Sequence, residues 1–166
     1  MRSSTDSNAR HRPRIGITMG DPAGIGAEII VKALSNHEIY ESCRPLVIGD
    51  AARLRQVAGI LGLPIKINSV SNATDAAYQP DQIDCLDLAL VQPDLPFGAV
   101  SAAAGEAAFR YVEKAAALAL AGAIDAICTA PLSKEAMHAA GHRFPGHTES
   151  PFRALPGIQI QIGETR

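Results

Sequence analysis

Arg14 to Leu34 reads RIGITMGDPAGIGAEIIVKAL, and this stretch decides the fold. Ile15, Ile17 and Met19 predict a short buried strand, Gly20 to Gly26 a tight glycine-rich bend, and Ala27 to Leu34 a helix presenting Ile29, Ile30 and Leu34 to a core. Such a strand, loop and helix opens an α/β domain. Gly24 and Gly26 allow close backbone approach at a helix N-terminus, where unpaired amides and the helix dipole favour an anion. Asp21 repels phosphate at the same bend, so it suits a hydroxyl, an amine or a cation. Gly20, Gly24 and Gly26 are spaced G-x-x-x-G-x-G, which is neither the dinucleotide fingerprint nor a phosphate loop. Taken alone, the loop reads more readily as a turn whose glycines serve only packing.

Working outward, Pro45 to Ile48 predicts a strand ending at Gly49-Asp50, and Asp50 is placed to cap a helix. In that helix Leu54, Val57, Ala58 and Leu61 fall on one face, and Gly62 stops it. Pro64 to Val70 predicts another strand. The β–α–β–α–β rhythm argues for an α/β fold with a mostly parallel sheet and flanking helices. Ser71 to Pro80 reads as a loop. Ile83 to Val91 is a further strand candidate, whose Asp84 and Asp87 argue for an edge position or an excursion from the sheet. A long helix is expected from about Ser101 to Ala121, with Phe109, Val112, Ala116 and Leu120 as its apolar stripe. Ala123 to Thr129 is then expected as a buried strand.

Ligands of open parallel sheets gather at the carboxyl ends of strands, which singles out Thr129, Ser133 and Lys134. Ser133 can cap the following helix, and Lys134 in its first turn has the wrong sign for the helix dipole, so it is a candidate anion contact. His138, His142 and His147 do not form a metal site by spacing, because Gly141 and Pro145 interrupt the run and no H-E-x-x-H pattern is present. His147 and Thr148 are candidates to bond a small oxygen-rich substrate.

The 166 residues, 47% hydrophobic and 19% charged with a formal net charge of −2, suit one globular domain. That charge supplies no attraction to nucleic acid or to an anionic membrane. Met1 to Arg12 is polar and lacks the apolar core of a secretory signal, so residues 1–13 are expected to be a disordered tail and the compartment cytoplasmic. Cys43, Cys85 and Cys128 form no C-x-x-C pair and are expected to be buried free thiols.

Three motifs in order, MGDPAGIGAEIIVKAL, TAPLSKEAMHAAGH and FPGHTE, resemble the 4-hydroxythreonine-4-phosphate dehydrogenase family, which includes D-threonate and D-erythronate 4-phosphate dehydrogenases. The resemblance spans residues 14–149 and implies an architecture like that of isocitrate and isopropylmalate dehydrogenases, working as a homodimer. It implies NAD-dependent oxidation of a secondary alcohol followed by decarboxylation, with a divalent metal polarising the oxygens. It assigns substrate contact to His147 and Thr148 and leaves Lys134 and Asp21 as candidates. Family members are about twice as long, and their metal-binding histidines and most of the NAD site lie in a part not represented here. The expectation is therefore the N-terminal part of a truncated dehydrogenase, inactive by itself, with 150–166 an atypical tail that a frameshift would explain. The alternative is a non-catalytic α/β module that binds a small phosphorylated ligand or a partner chain.

Overall fold

A computed structural model describes residues 12–142. Positions 1–11 of the expected tail, and 150–166, lie outside the described residues. In chain order the elements are β1 (Arg14–Thr18), α1 (Gly26–Leu34), α2 (Glu38–Ser42), β2 (Arg44–Gly49), α3 (Ala51–Leu61), β3 (Lys66–Val70), β4 (Gln82–Asp87), α4 (Ala102–Leu120), β5 (Ala126–Thr129) and α5 (Lys134–Ala139). The sheet order is β3-β4-β2-β1-β5, and every neighbouring pair is parallel. The fold is α/β, as the alternating pattern predicts.

β1 to β2 and β4 to β5 step across the sheet in opposite directions. Because such crossovers are right-handed, their helices lie on opposite faces. α1 packs on α3, whereas α4 packs on β1, β2, β5 and α5. On the first face, Ala27, Ile30, Val31 and Leu34 of α1 meet the core with Leu54, Val57 and Ala58 of α3. Ile29, expected in that stripe, is exposed, because helical spacing from Ile30 and Leu34 selects Ala27 and Val31 instead.

On the second face, α4 meets the sheet's core through Ala107, Tyr111 and Ala115, and its Ala104, Ala108, Val112 and Ala116 are buried as well. Small residues let the backbone come close, and of the expected stripe Val112 and Ala116 are buried while its two large members are not. Leu120 is exposed, and Phe109 is half-buried. Ser101 caps the helix by accepting a hydrogen bond from Ala104 N at 3.1 Å, and Gly122 continues past its end at φ 70°.

The strand expected at an edge, β4, is internal, between β3 and β2. Its Asp84 is almost wholly buried and accepts from Asn68 Nδ2 at 2.7 Å, Tyr78 N at 2.7 Å and Gln82 Nε2 at 3.0 Å. Three donors replace the water it loses, which makes a central carboxylate tolerable. The edges are instead β3 and β5, and in β5 Ala126, Cys128 and Thr129 are exposed. The expected buried strand is thus corrected, and with it the expected burial of Cys128. Cys85 is buried and Cys43 half-buried, and all three thiols are free. Among the described residues no helix is long and apolar enough to cross a membrane.

Candidate active site

The helices after neighbouring β1 and β5 leave to opposite faces, so the carboxyl ends of these two strands form a topological switch point, where ligands of such sheets bind. Two loops meet there. Ala130 N donates to Thr18 O at 3.1 Å, and Asp21 N donates to Pro131 O at 3.0 Å. Gly20 has φ 72°, and a Cβ there would stand 2.4 Å from the Pro131 carbonyl oxygen. At Gly26 a Cβ would be 2.2 Å from Met19 O. These two glycines therefore allow the β1 loop to lie against the β5 loop and α1 to start against the end of β1.

Asp21 is 8% exposed, and its Oδ1 accepts from Ala23 N at 2.8 Å. This turn is closed again by Gly24 N donating to Asp21 O at 3.0 Å. The carboxylate thus shapes the loop in which it sits. Gly24 and Ile25 at the start of α1 are exposed. Across the junction, Ser133 caps α5 by accepting from Ala136 N at 3.1 Å, and Lys134 is exposed in the first turn. The structure brings Asp21 and the Pro131–Lys134 segment together as adjoining loops. His147 and Thr148 lie outside the described residues.

α3 starts at the same end of the sheet. Asp50 occupies its N-cap position, but its side chain accepts from Leu90 N at 3.0 Å and Val91 N at 2.6 Å, while Asp87 Oδ1 accepts from Ala51 N at 3.1 Å. Asp87 also accepts from Ser69 Oγ at 2.9 Å and from Ala89 N at 3.2 Å. The two carboxylates fasten the segment after β4, where Ala89 has φ 47°. Arg53 is buried in the first turn of α3, and a cavity of about 260 Å³ is lined by Ala52, Arg53, Gln56, Val91, Gln92 and Pro93. Sequence reasoning missed Arg53, whose neighbours Leu54 and Val57 account for the apolar face by themselves.

The comparisons with known proteins decide the family. Residues 41–154 match the model described as pyridoxal phosphate biosynthetic protein PdxA. The chain belongs to the PdxA family. It is 56% identical over 137 residues to a D-threonate 4-phosphate dehydrogenase of Cupriavidus necator, covering 82% of this chain and 41% of that one. It is 46% identical over 140 residues to a 4-hydroxythreonine-4-phosphate dehydrogenase of Trichlorobacter lovleyi, covering 83% of this chain and 42% of that one. The crystal structure of a 4-hydroxythreonine-4-phosphate dehydrogenase from Burkholderia phymatum superposes with a TM-score of 0.85 at 53% identity, covering 90% of this chain and 45% of that one. The chain spans less than half the length of these PdxA relatives.

Dehydrogenase relatives imply a nucleotide cofactor in general, and the resemblance in the motifs implies NAD and a divalent metal. The described residues do not fit either group. Among them no cluster of three or more His, Cys, Asp or Glu could hold a metal ion. Gly20 and Gly26 are taken up by close packing against carbonyls of the same chain, so they leave no phosphate cradle of the dinucleotide type.

Proposed function

We propose that this chain is the N-terminal, substrate-side part of a PdxA-family dehydrogenase acting on a four-carbon 4-phosphorylated hydroxy acid, either 4-hydroxythreonine 4-phosphate or threonate or erythronate 4-phosphate. The observation that carries the reading is the 56% identity to the D-threonate 4-phosphate dehydrogenase. The meeting of the Asp21 and Lys134 loops at the sheet's switch point supports it. NAD and a divalent metal, which the motif resemblance implies for the full-length family, would supply hydride acceptance and polarisation of substrate oxygens, and would be held by residues other than those described.

The residues of this chain bind and orient. Lys134 supplies a cation for the substrate's anionic end, at a helix start where the dipole adds to its field for an anion. His147 and Thr148 hydrogen-bond substrate oxygens, and Asp21 holds the β1 loop in shape and turns its remaining acceptor capacity to a substrate hydroxyl. The enzyme acts in the cytoplasm as a homodimer. The isolated 166-residue polypeptide turns nothing over, since its relatives carry their activity on chains more than twice as long.

A titration of the purified chain with D-threonate 4-phosphate and with 4-hydroxythreonine 4-phosphate, inorganic phosphate serving as reference, tests this reading. Lys134→Ala and His147→Ala are each expected to weaken binding roughly ten- to hundredfold, the range for losing a charge-assisted hydrogen bond. Absence of binding, or binding indifferent to both substitutions, rejects the substrate reading. Detectable NAD reduction by the isolated chain rejects its inactivity.

The second reading, a non-catalytic module that pairs with another chain, is favoured by two features. β5 is an exposed edge, and Ile25 and Ile29, one helical turn apart, are 60% and 44% exposed. Sedimentation across a concentration series tests it, and a monomer at every concentration argues against it.

A further inference from the structure

The glycine-rich loop of the candidate site is held from beneath by a buried cation. Arg53 is 2% exposed. Its Nε donates to Pro22 O at 2.8 Å, and its Nη1 donates to Leu95 O at 3.0 Å and to Gln56 Oε1 at 2.9 Å. Its Cζ lies 3.5 Å from the centroid of the Phe97 ring. Gly98 N donates to Ala23 O at 2.7 Å, which joins the same two segments a second time. Pro22 and Ala23 belong to the Gly20–Gly26 bend, whereas Leu95, Phe97 and Gly98 belong to the connection between β4 and α4. The guanidinium of α3 thus ties two loops at the carboxyl end of the sheet.

This arrangement is costly. Among the described residues no carboxylate forms an ion pair with Arg53, and Nη2 has no hydrogen-bond partner. Burial pushes the guanidinium below its ordinary pKa, with Tyr111 and Asp21 acting in the other direction. An apolar side chain of similar volume would fill the same space without desolvating a charge. What it could not do is bridge two carbonyls with a rigid planar fork while stacking on an aromatic ring.

We propose that Arg53 is a positioning residue for substrate binding, clamping the glycine-rich loop to the Gln92–Gly98 segment so that Asp21 is held in its site geometry. The inference rests on the substrate reading above, but the clamp itself can be tested without substrate. Amide exchange in the ¹⁵N-labelled 166-residue chain reports it at Gly24 and Gly98, whose amides close the two loops. Met19 and Leu88 serve as references, because their amides are bonded to Ile48 O and Gly49 O of β2.

In Arg53→Met, exchange at Gly24 and Gly98 is expected to rise roughly ten- to hundredfold, the worth of a charged hydrogen bond. Met19 and Leu88 are expected to change by no more than the global stability does. Arg53→Lys keeps the charge without the fork and is expected not to rescue the loops, and Phe97→Leu to loosen them more mildly. Parallel change at all four amides, or no change at Gly24 and Gly98, overturns the clamp. Should Arg53→Met fail to fold, Phe97→Leu carries the same test.

D-Threonate 4-phosphate separates the two ideas. If the unmodified chain does not bind it, the substrate reading fails while exchange still decides the clamp. If the unmodified chain binds it and Arg53→Met binds equally well, the positioning role is overturned.

Discussion

Gly20 concentrates in one residue the geometry on which the candidate site depends. Its left-handed backbone costs any other L-residue about 1–2 kcal/mol, and the neighbouring Pro131 carbonyl leaves no room for a Cβ. Gly62, which ends α3 at φ 65° with nothing within 4 Å of an added Cβ, carries the backbone penalty alone. Urea denaturation is therefore expected to show Gly62→Ala destabilised by the backbone amount, and Gly20→Ala by a further ~1–3 kcal/mol for overpacking. Equal losses at the two positions would show that the β1 and β5 loops are not in contact. At this scale the site was partly legible. Gly20, Asp21, Ser133 and Lys134 stand out in the sequence because loop and cap chemistry is local. Arg53 does not, because its partners Pro22, Leu95 and Phe97 lie far along the chain.

Between elements, the decisive contact is that of α4 with α5. A Cβ on Gly105 would fall 1.9 Å from the Ala136 carbonyl oxygen, whereas one on Gly59 in α3 would meet nothing within 4 Å. Both residues are helical, so alanine improves intrinsic propensity at each by ~0.5–1 kcal/mol. Gly59→Ala is expected to raise the denaturation midpoint. Gly105→Ala is expected to lower it, because overpacking outweighs propensity and α5 must move off α4, taking the Lys134 turn with it. A gain in both variants would contradict the packing. The same helix shows why only Val112 and Ala116 of its expected stripe are buried. Alanine is apolar enough to be buried yet small enough to be overlooked beside Phe109 and Leu120. The sheet, not the largest residues, selects the close-packing face. In β4, too, Asp84 looked like an edge marker because its three donors come from Asn68, Tyr78 and Gln82, a set assembled by folding.

For the molecule as a whole, alkaline pH probes the core. Burial pushes Tyr40, Tyr111 and Cys85 well above their ordinary pKa values, with neighbouring carboxylates adding to the effect; Tyr40 also donates to Gln82 O at 2.8 Å. A raised folded-state pKa contributes stability that is complete below the unfolded pKa and is lost as pH rises toward the folded one. Stability is thus expected to decline above about pH 8.5, where an unfolded thiol ionises, and more steeply near about pH 10, where unfolded tyrosines do. Tyr40→Phe is expected to flatten the second limb in denaturation midpoints measured from pH 7 to 11. An unchanged profile would mean that this phenol is not held neutral by the fold.

The sequence by itself determined the alternation of strands and helices, the parallel sheet and the glycine-rich bend with its family resemblance. Hydrophobic period, caps and turn residues act over a few positions, and motifs are contiguous. Only the tertiary structure decided strand order, which made β4 internal and β5 an edge and so left Cys128 exposed. It alone decided that Asp50 and Asp87 hold the segment after β4, and that Arg53 joins two loops beneath the bend. These outcomes depend on which distant groups meet, because the cost of a buried carboxylate or guanidinium is set by partners that local sequence does not name.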